Sequence, residues 1–123
     1  MYRNGETMQD DLFGICPYVT AQKLLTGKWT LLILHHLSVK IMRFNELQRA
    51  LPELTQATLT KQLRMMEENG LITRTVYNQI PPKVEYGLSE LGIQFQPVLD
   101  ALEVWGSQYI NFLKEKIQEG INK

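Results

Sequence analysis

The sequence predicts a mainly α-helical chain with one small β-hairpin and a long last helix, and three observations carry that expectation. Apolar residues recur at helical spacing in the middle of the chain, at Leu59, Leu63 and Met66. A second stripe, Phe95, Val98, Leu102, Trp105, Tyr109 and Phe112, steps 3, 4, 3, 4, 3 along the last third, a heptad seam. Between them LITRTVY alternates with β-branched residues, turns through NQIPPK and returns as VEYGL. The 123 residues, 44% hydrophobic and 21% charged, have the length and composition of one soluble globular domain.

Residues 1–14 are polar, acidic and glycine-containing and read as a flexible arm, which leaves 15–123 as the folded domain. Cys16-Pro17 is a helix entry, because proline at the first helical position lacks only an N–H that the helix does not use. That helix runs through TAQKLL to a C-terminal cap at Gly27. WTLLILHHL, residues 29–37, is apolar almost all round and should be a helix buried in the core. Asn45 with Gln48 three residues on resembles a capping box. It opens a short amphipathic helix with Phe44, Leu47, Ala50 and Leu51, ended by Pro52. Thr55 is the next N-cap, and the helix carrying Leu59, Leu63 and Met66 stops at Asn69-Gly70.

The hairpin follows, with a loop of about six residues. Ser89 caps the last helical stretch, in which Pro97 either starts a fresh helix or kinks one. From Pro97 to Glu119 a helix would span about 33–35 Å at ~1.5 Å per residue, too long for a domain this small to cover. Part of the seam at Val98, Leu102, Trp105, Tyr109 and Phe112 is therefore expected to face a second copy. The first helix, around Val19 and Leu24, would close that contact.

Several function classes drop out. The chain has no apolar run of about 18 residues to span a membrane. The opening MYRNGETMQDDLFG lacks the apolar core of a secretory signal. The single cysteine, Cys16, cannot form an internal disulfide, so a cytoplasmic location is expected. No glycine-rich phosphate loop, nucleophile elbow or HExxH motif points to an enzyme, and no cofactor is implied. His35 and His36 point about 100° apart on a helix, do not chelate one metal, and have no ligand cluster to complete a site. A place at the helix C-terminus, where the dipole favours a cation, suits them better.

Net charge is zero, but unevenly spread: residues 21–86 hold nine basic against five acidic side chains, net +4, and the flanks net −4. A basic middle fits contact with phosphates, although scattered surface charge gives nearly the same count.

The order helix, helix, short helix, helix, hairpin, long helix describes a winged helix-turn-helix with an added dimerisation helix. In such a motif the second helix lies in the major groove and presents base-reading side chains near its N-terminus. With Leu59, Leu63 and Met66 inward, the free face holds Ala57, Lys61, Arg64 and Glu68, with Thr58 and Met65 beside them. Thr55 and Gln56 lie at the helix start, where free N–H groups and the dipole suit a phosphate oxygen. Lys61 and Arg64 can contact guanine edges or phosphates, and Gln56 and Thr58 are short polar readers. Two readings stay open on these residues: a DNA-binding regulator, and a winged-helix protein–protein module that never touches DNA.

From Cys16 to roughly Tyr109 the chain resembles the HxlR branch of the MarR-like winged helix-turn-helix transcriptional regulators. The segments that carry the resemblance are CPYVTAQKLLTGKWTLLILHHL, RFNELQRALPELTQATLTKQLRMMEENGLITRTVY, and PPKVEYGLSELG followed by PVLDALEVWG. It implies a homodimer whose N- and C-terminal helices pack together, gripping a near-palindromic site in double-stranded DNA with two recognition helices and two wings. It also implies a bacterial or archaeal cytoplasmic regulator, more often a repressor than an activator, with an oxidant or small molecule as a conceivable effector. The reader would be the helix Thr55–Glu68, through Thr55, Gln56, Ala57, Thr58, Lys61 and Arg64. The wing tip would be Asn78–Lys83, with Lys83 matching the basic residue after the two prolines.

Cys16 matches a cysteine that some members use to sense oxidants or electrophiles. A helix N-terminus can lower a thiol pKa, and the thiolate is the reactive species; the alternative is a small side chain buried near the dimer contact. Trp29 and Trp105 read as core and interface anchors. Three departures stand out. Ala57 lies where many relatives have a basic residue, and Gly87 replaces the usual polar residue and should loosen the second wing strand. SVKIM, before Arg43, is more apolar than is common there.

Overall fold

In the computed structural model, which describes residues 11–122, the chain runs through α1 (Pro17–Leu25), α2 (Thr30–Val39), α3 (Phe44–Ala50), α4 (Gln56–Glu68), β1 (Ile72–Tyr77), β2 (Lys83–Leu88), α5 (Glu90–Gln94) and α6 (Gln96–Asn122). The architecture is mainly helical with a small antiparallel hairpin, as expected. The stripes of α2, α3 and α4 meet in one core, where Ile33, Leu34, Leu47, Leu59, Leu63 and Met66 are each at most 1% exposed. Leu37, Met42, Leu51, Leu54, Leu71 and Ile72 close it. One polar link crosses this core: Gln62 Nε2 donates to Thr30 Oγ1 at 2.9 Å, with both residues buried. Burial of the amide is tolerable because it has this partner.

That link corrects the reading of Gly27. α1 ends at Leu25 with Thr26 in right-handed geometry, and Gly27 is not a left-handed cap. A Cβ at Gly27 would lie 2.5 Å from Thr30 Oγ1 and 3.2 Å from Gln62 Nε2, so close packing excludes a side chain there. Gly70, with φ of 77°, does end α4 as expected.

α2 is not buried all round either. Leu31 and Leu32 are exposed, and with His35 they face Leu99 and Leu102 of α6 across an open groove of about 470 Å³.

The capping of α3 also differs from expectation. Phe44 is already helical, so Arg43 is the N-cap and Glu46 Oε1 accepts its backbone N–H at 2.9 Å. Gln48 instead donates to the Leu54 carbonyl and pins the turn between α3 and α4.

β1 and β2 pair from Ile72↔Leu88 to Tyr77↔Lys83, which leaves a five-residue loop and makes Lys83 the first residue of β2. Met42 adds a bridge outside the hairpin, exchanging hydrogen bonds of 3.0 and 2.8 Å with Tyr86. The apolar SVKIM segment and Gly87 explain one another: Ile41 packs over Gly87, where a Cβ would lie 3.3 Å from Ile41 Cγ1. Gly87 is buried and keeps its pairing with Thr73 in the hairpin.

Ser89 Oγ caps α5 by accepting the Gly92 N–H at 3.0 Å, and donates to the Gly70 carbonyl at 2.6 Å. The helical stretch breaks at Phe95, so Pro97 belongs to a fresh helix. α6 then runs 27 residues, about 40 Å at ~1.5 Å per residue.

Candidate nucleic-acid interface

α4 is held by its buried stripe and by its cap. Thr55 Oγ1 accepts the Thr58 N–H at 3.1 Å and donates to Thr58 Oγ1 at 2.9 Å, so both hydroxyls are partly used in building the helix start. Gln56, Ala57, Lys61 and Arg64 then stand exposed, and with Thr55 and Thr60 they line one open surface. Among the described residues neither Lys61 nor Arg64 has an ion pair. An uncompensated pair of cations on one helical face is what a phosphate backbone or a guanine edge needs.

The structure adds Thr60 and Arg74 to the residues expected from sequence. A cleft of about 360 Å³ between α4 and the wing is lined by Thr60, Arg64, Glu67, Arg74 and Tyr86. Two arginines from two elements thus line one cleft, with Glu67 the acidic residue beside them, and guanidinium groups are the side chains best suited to a phosphate oxygen. Arg74 comes from β1, opposite Tyr86, and only the strand register brings it to Arg64. The basic count of the middle region was the sole sequence signal for it.

Lys83 is more committed than its position after two prolines implies. Its Nζ lies 3.5 Å from Glu85 Oε2 and 4.9 Å from the centroid of the Tyr77 ring. Glu85 in turn hydrogen-bonds the Tyr77 hydroxyl and raises its pKa. A pair this near water is worth about 0–1 kcal/mol and can be exchanged for a phosphate.

Away from this face, Val98, Leu102, Trp105, Tyr109 and Phe112 are between 37% and 62% exposed along α6. Trp105 stacks on Tyr109 at 5.7 Å and Tyr109 meets Phe112 at 5.4 Å, so the seam is a preformed aromatic ladder. Val19 and Leu24 are half-buried on α1, and Leu24 with Leu25, Phe95 and Val98 lines an apolar groove between α1 and the start of α6. Trp29 packs on the core with the Lys28 ammonium 5.1 Å from its ring centroid.

Cys16 is half-buried at the N-cap of α1, where its carbonyl accepts from Thr20 Oγ1 at 2.7 Å. Thr20 also ties down the preceding turn by accepting the Gly14 N–H at 2.8 Å. Residues 1–10 of the expected arm lie outside the described residues. His36 stands in the last turn of α2, and no group of three His, Cys, Asp or Glu side chains among the described residues could hold a metal. No helix among them is long and apolar enough to cross a membrane.

Comparison with known proteins converges on one family. The HxlR-like helix-turn-helix family matches residues 24–114. The HTH-type transcriptional regulator YdeP of Bacillus subtilis is 45% identical over 105 residues, 85% of this chain and 82% of that protein. A solved structure described as the redox regulator HypR in its reduced form superposes with a TM-score of 0.77 at 37% identity, covering 81% of this chain and 99% of HypR. The reduced form of the transcriptional regulator YodB from Bacillus subtilis gives 0.70 at 33% identity, over 77% of this chain and 94% of YodB.

Proposed function

The chain belongs to the HxlR-like helix-turn-helix family of transcriptional regulators, and we propose that it acts in the cytoplasm as a homodimeric repressor on a near-palindromic operator. The observation that carries this reading is the division of α4. One face buries Leu59, Gln62, Leu63 and Met66, and the other offers Gln56, Ala57, Lys61 and Arg64 to solvent. In the proposed complex the start of α4 enters the major groove, where Gln56 and Lys61 reach base edges and the cap at Thr55 and Thr58 meets a phosphate. Arg64 and Arg74 hold the next phosphate, and Lys83 exchanges Glu85 for another. One helix reads only a few base pairs, and two recognition helices about 34 Å apart can enter successive major grooves. In that pairing the seam of α6, exposed in the single chain, would pack against the same seam of the second copy.

Selection of bound sites from random duplexes tests the reading. It should return inverted half-sites about one helical turn apart. Binding to the selected duplex should weaken steeply with salt, because phosphate neutralisation releases counterions. Lys61→Ala and Arg64→Ala should each weaken binding, and whichever residue reads a base should relax the preference at that position by about 1–3 kcal/mol. A protein that binds no duplex even at low salt is instead a winged-helix protein–protein module.

A redox-responsive form of this regulator is favoured by the likeness to HypR together with the placement of Cys16 at a helix N-cap. Peroxide or a quinone should then lower the DNA affinity of the parent and leave Cys16→Ser unaffected. Equal responses from both proteins end that reading.

A further inference from the structure

The loop Asn78–Pro82 at the tip of the wing contains no cation, and the lysine beside it is turned toward Glu85 and the Tyr77 ring. What the tip presents is Ile80, 101% exposed, between Gln79 and two exposed prolines. Single exposed apolar residues are ordinary on protein surfaces. Ile80 differs in where it stands. It crowns a hairpin paired through six registers, and the strand leading to it exposes Val76 and Tyr77.

We propose that Ile80 is an apolar wedge that enters the minor groove of the operator and opens a base step, while Asn78 and Gln79 bond to base edges beside it. This rests on the DNA-binding reading above. None of the loop residues Asn78–Pro82 is charged, so the loop itself can meet a phosphate only through the amides of Asn78 and Gln79 or its backbone, and Ile80 has no part in such a contact. Minor-groove wedges need a protruding apolar side chain, and amide side chains are among the groups that read the acceptors on the groove floor. The tip also leaves water at low cost. Pro81 and Pro82 have no N–H to strand, and the Gln79 N–H already donates to the Tyr77 carbonyl at 3.0 Å. Opening is easiest at pyrimidine–purine steps, so the operator should carry one under each wing.

The test uses the duplex that the parent protein selects from a random pool. 2-Aminopurine at the wing-facing step reports unstacking, and end-labelled energy transfer reports the bend. The parent should raise the fluorescence and shorten the end-to-end distance. Ile80→Ala should lose both and bind roughly tenfold more weakly, with an unchanged melting temperature because the side chain packs on nothing. Ile80→Lys separates the wedge from a phosphate contact: it should also leave the step stacked, whereas a tip that only met the backbone would gain affinity for every duplex. A parent that leaves the step stacked, or an Ile80→Ala protein that still unstacks it, overturns the wedge. Lys61→Ala on the same duplex shows separately whether the DNA reading stands, and a parent that selects no duplex overturns both.

Discussion

Helix α4 buries its apolar stripe, with Leu59, Leu63 and Met66 no more than 1% exposed, whereas helix α6 leaves Val98, Leu102, Trp105, Tyr109 and Phe112 at 37–62%. Along the sequence the two stripes look alike. The difference lies in what surrounds them. α4 is enclosed by α2, α3 and the hairpin, so its face is finished within one chain. α6 meets α2 and α5, and farther along it Trp105, Tyr109 and Phe112 stand 47–62% exposed. A stripe at helical spacing therefore states that a face will be covered, and does not state by what. In this chain the first face is covered from within, and the second is left exposed.

The largest effect should come from breaking the unfinished face. Leu102→Glu with Tyr109→Glu places two charges in the seam, where pairing would bury them without partners. The parent should sediment as a dimer at micromolar concentration and the double variant as a folded monomer. Operator binding should be lost with the dimer, because each monomer retains only one half-site. A parent that sediments as a monomer yet binds a palindromic site with full affinity would sink the dimer.

The finished face should respond in the opposite currency. Leu63→Ala removes a side chain only 1% exposed, and should cost about 2–5 kcal/mol of folding stability at any protein concentration. Phe112→Ala in the monomeric double variant removes a side chain that lies against solvent, and should stay within about 0.5 kcal/mol. Urea unfolding of both gives the contrast directly. Comparable losses would show that the far end of α6 belongs to the core of a single chain.

Much of the fold was legible because it rests on local patterns. The stripe of α4, the caps at Thr55 and Ser89 and the stop at Gly70 each depend on residues within a turn or two of one another. What was illegible depends on distant partners. Nothing local marks Gln62 as buried, because its partner Thr30 lies on another helix. Gly27 reads as a cap until that same pair is seen to occupy the space of its side chain. Gly87 and Ile41 each look out of place alone and fit only against one another. The site divides the same way. Lys61 and Arg64 follow from helical angles, whereas Arg74 needs the hairpin register and Lys83 needs the positions of Glu85 and Tyr77.

The smallest effect belongs to the surface of the finished half, and it tests how self-contained that half is. Glu46 accepts the Arg43 N–H at 2.9 Å and the Lys40 ammonium at 3.3 Å. Its pKa is lowered from 4.5, first by that backbone hydrogen bond, then by Lys40, with the charge of Arg49 adding a little. The folded pKa therefore lies below the unfolded one. The stabilisation is present above the unfolded value and fades as pH falls through the folded value. The melting temperature of the parent should exceed that of Glu46→Gln near neutral pH, and the gap should close as pH drops below 4.5. The carboxylate stands in water, so the gap is small. Added salt should remove the part due to Lys40 and leave the part due to the backbone bond. Every group involved lies between α2 and α3 or on α3 itself, far from the seam in sequence. The same closing gap should therefore appear in the Leu102→Glu, Tyr109→Glu monomer, and a gap that vanished there would mean that the capping of α3 depends on the second copy.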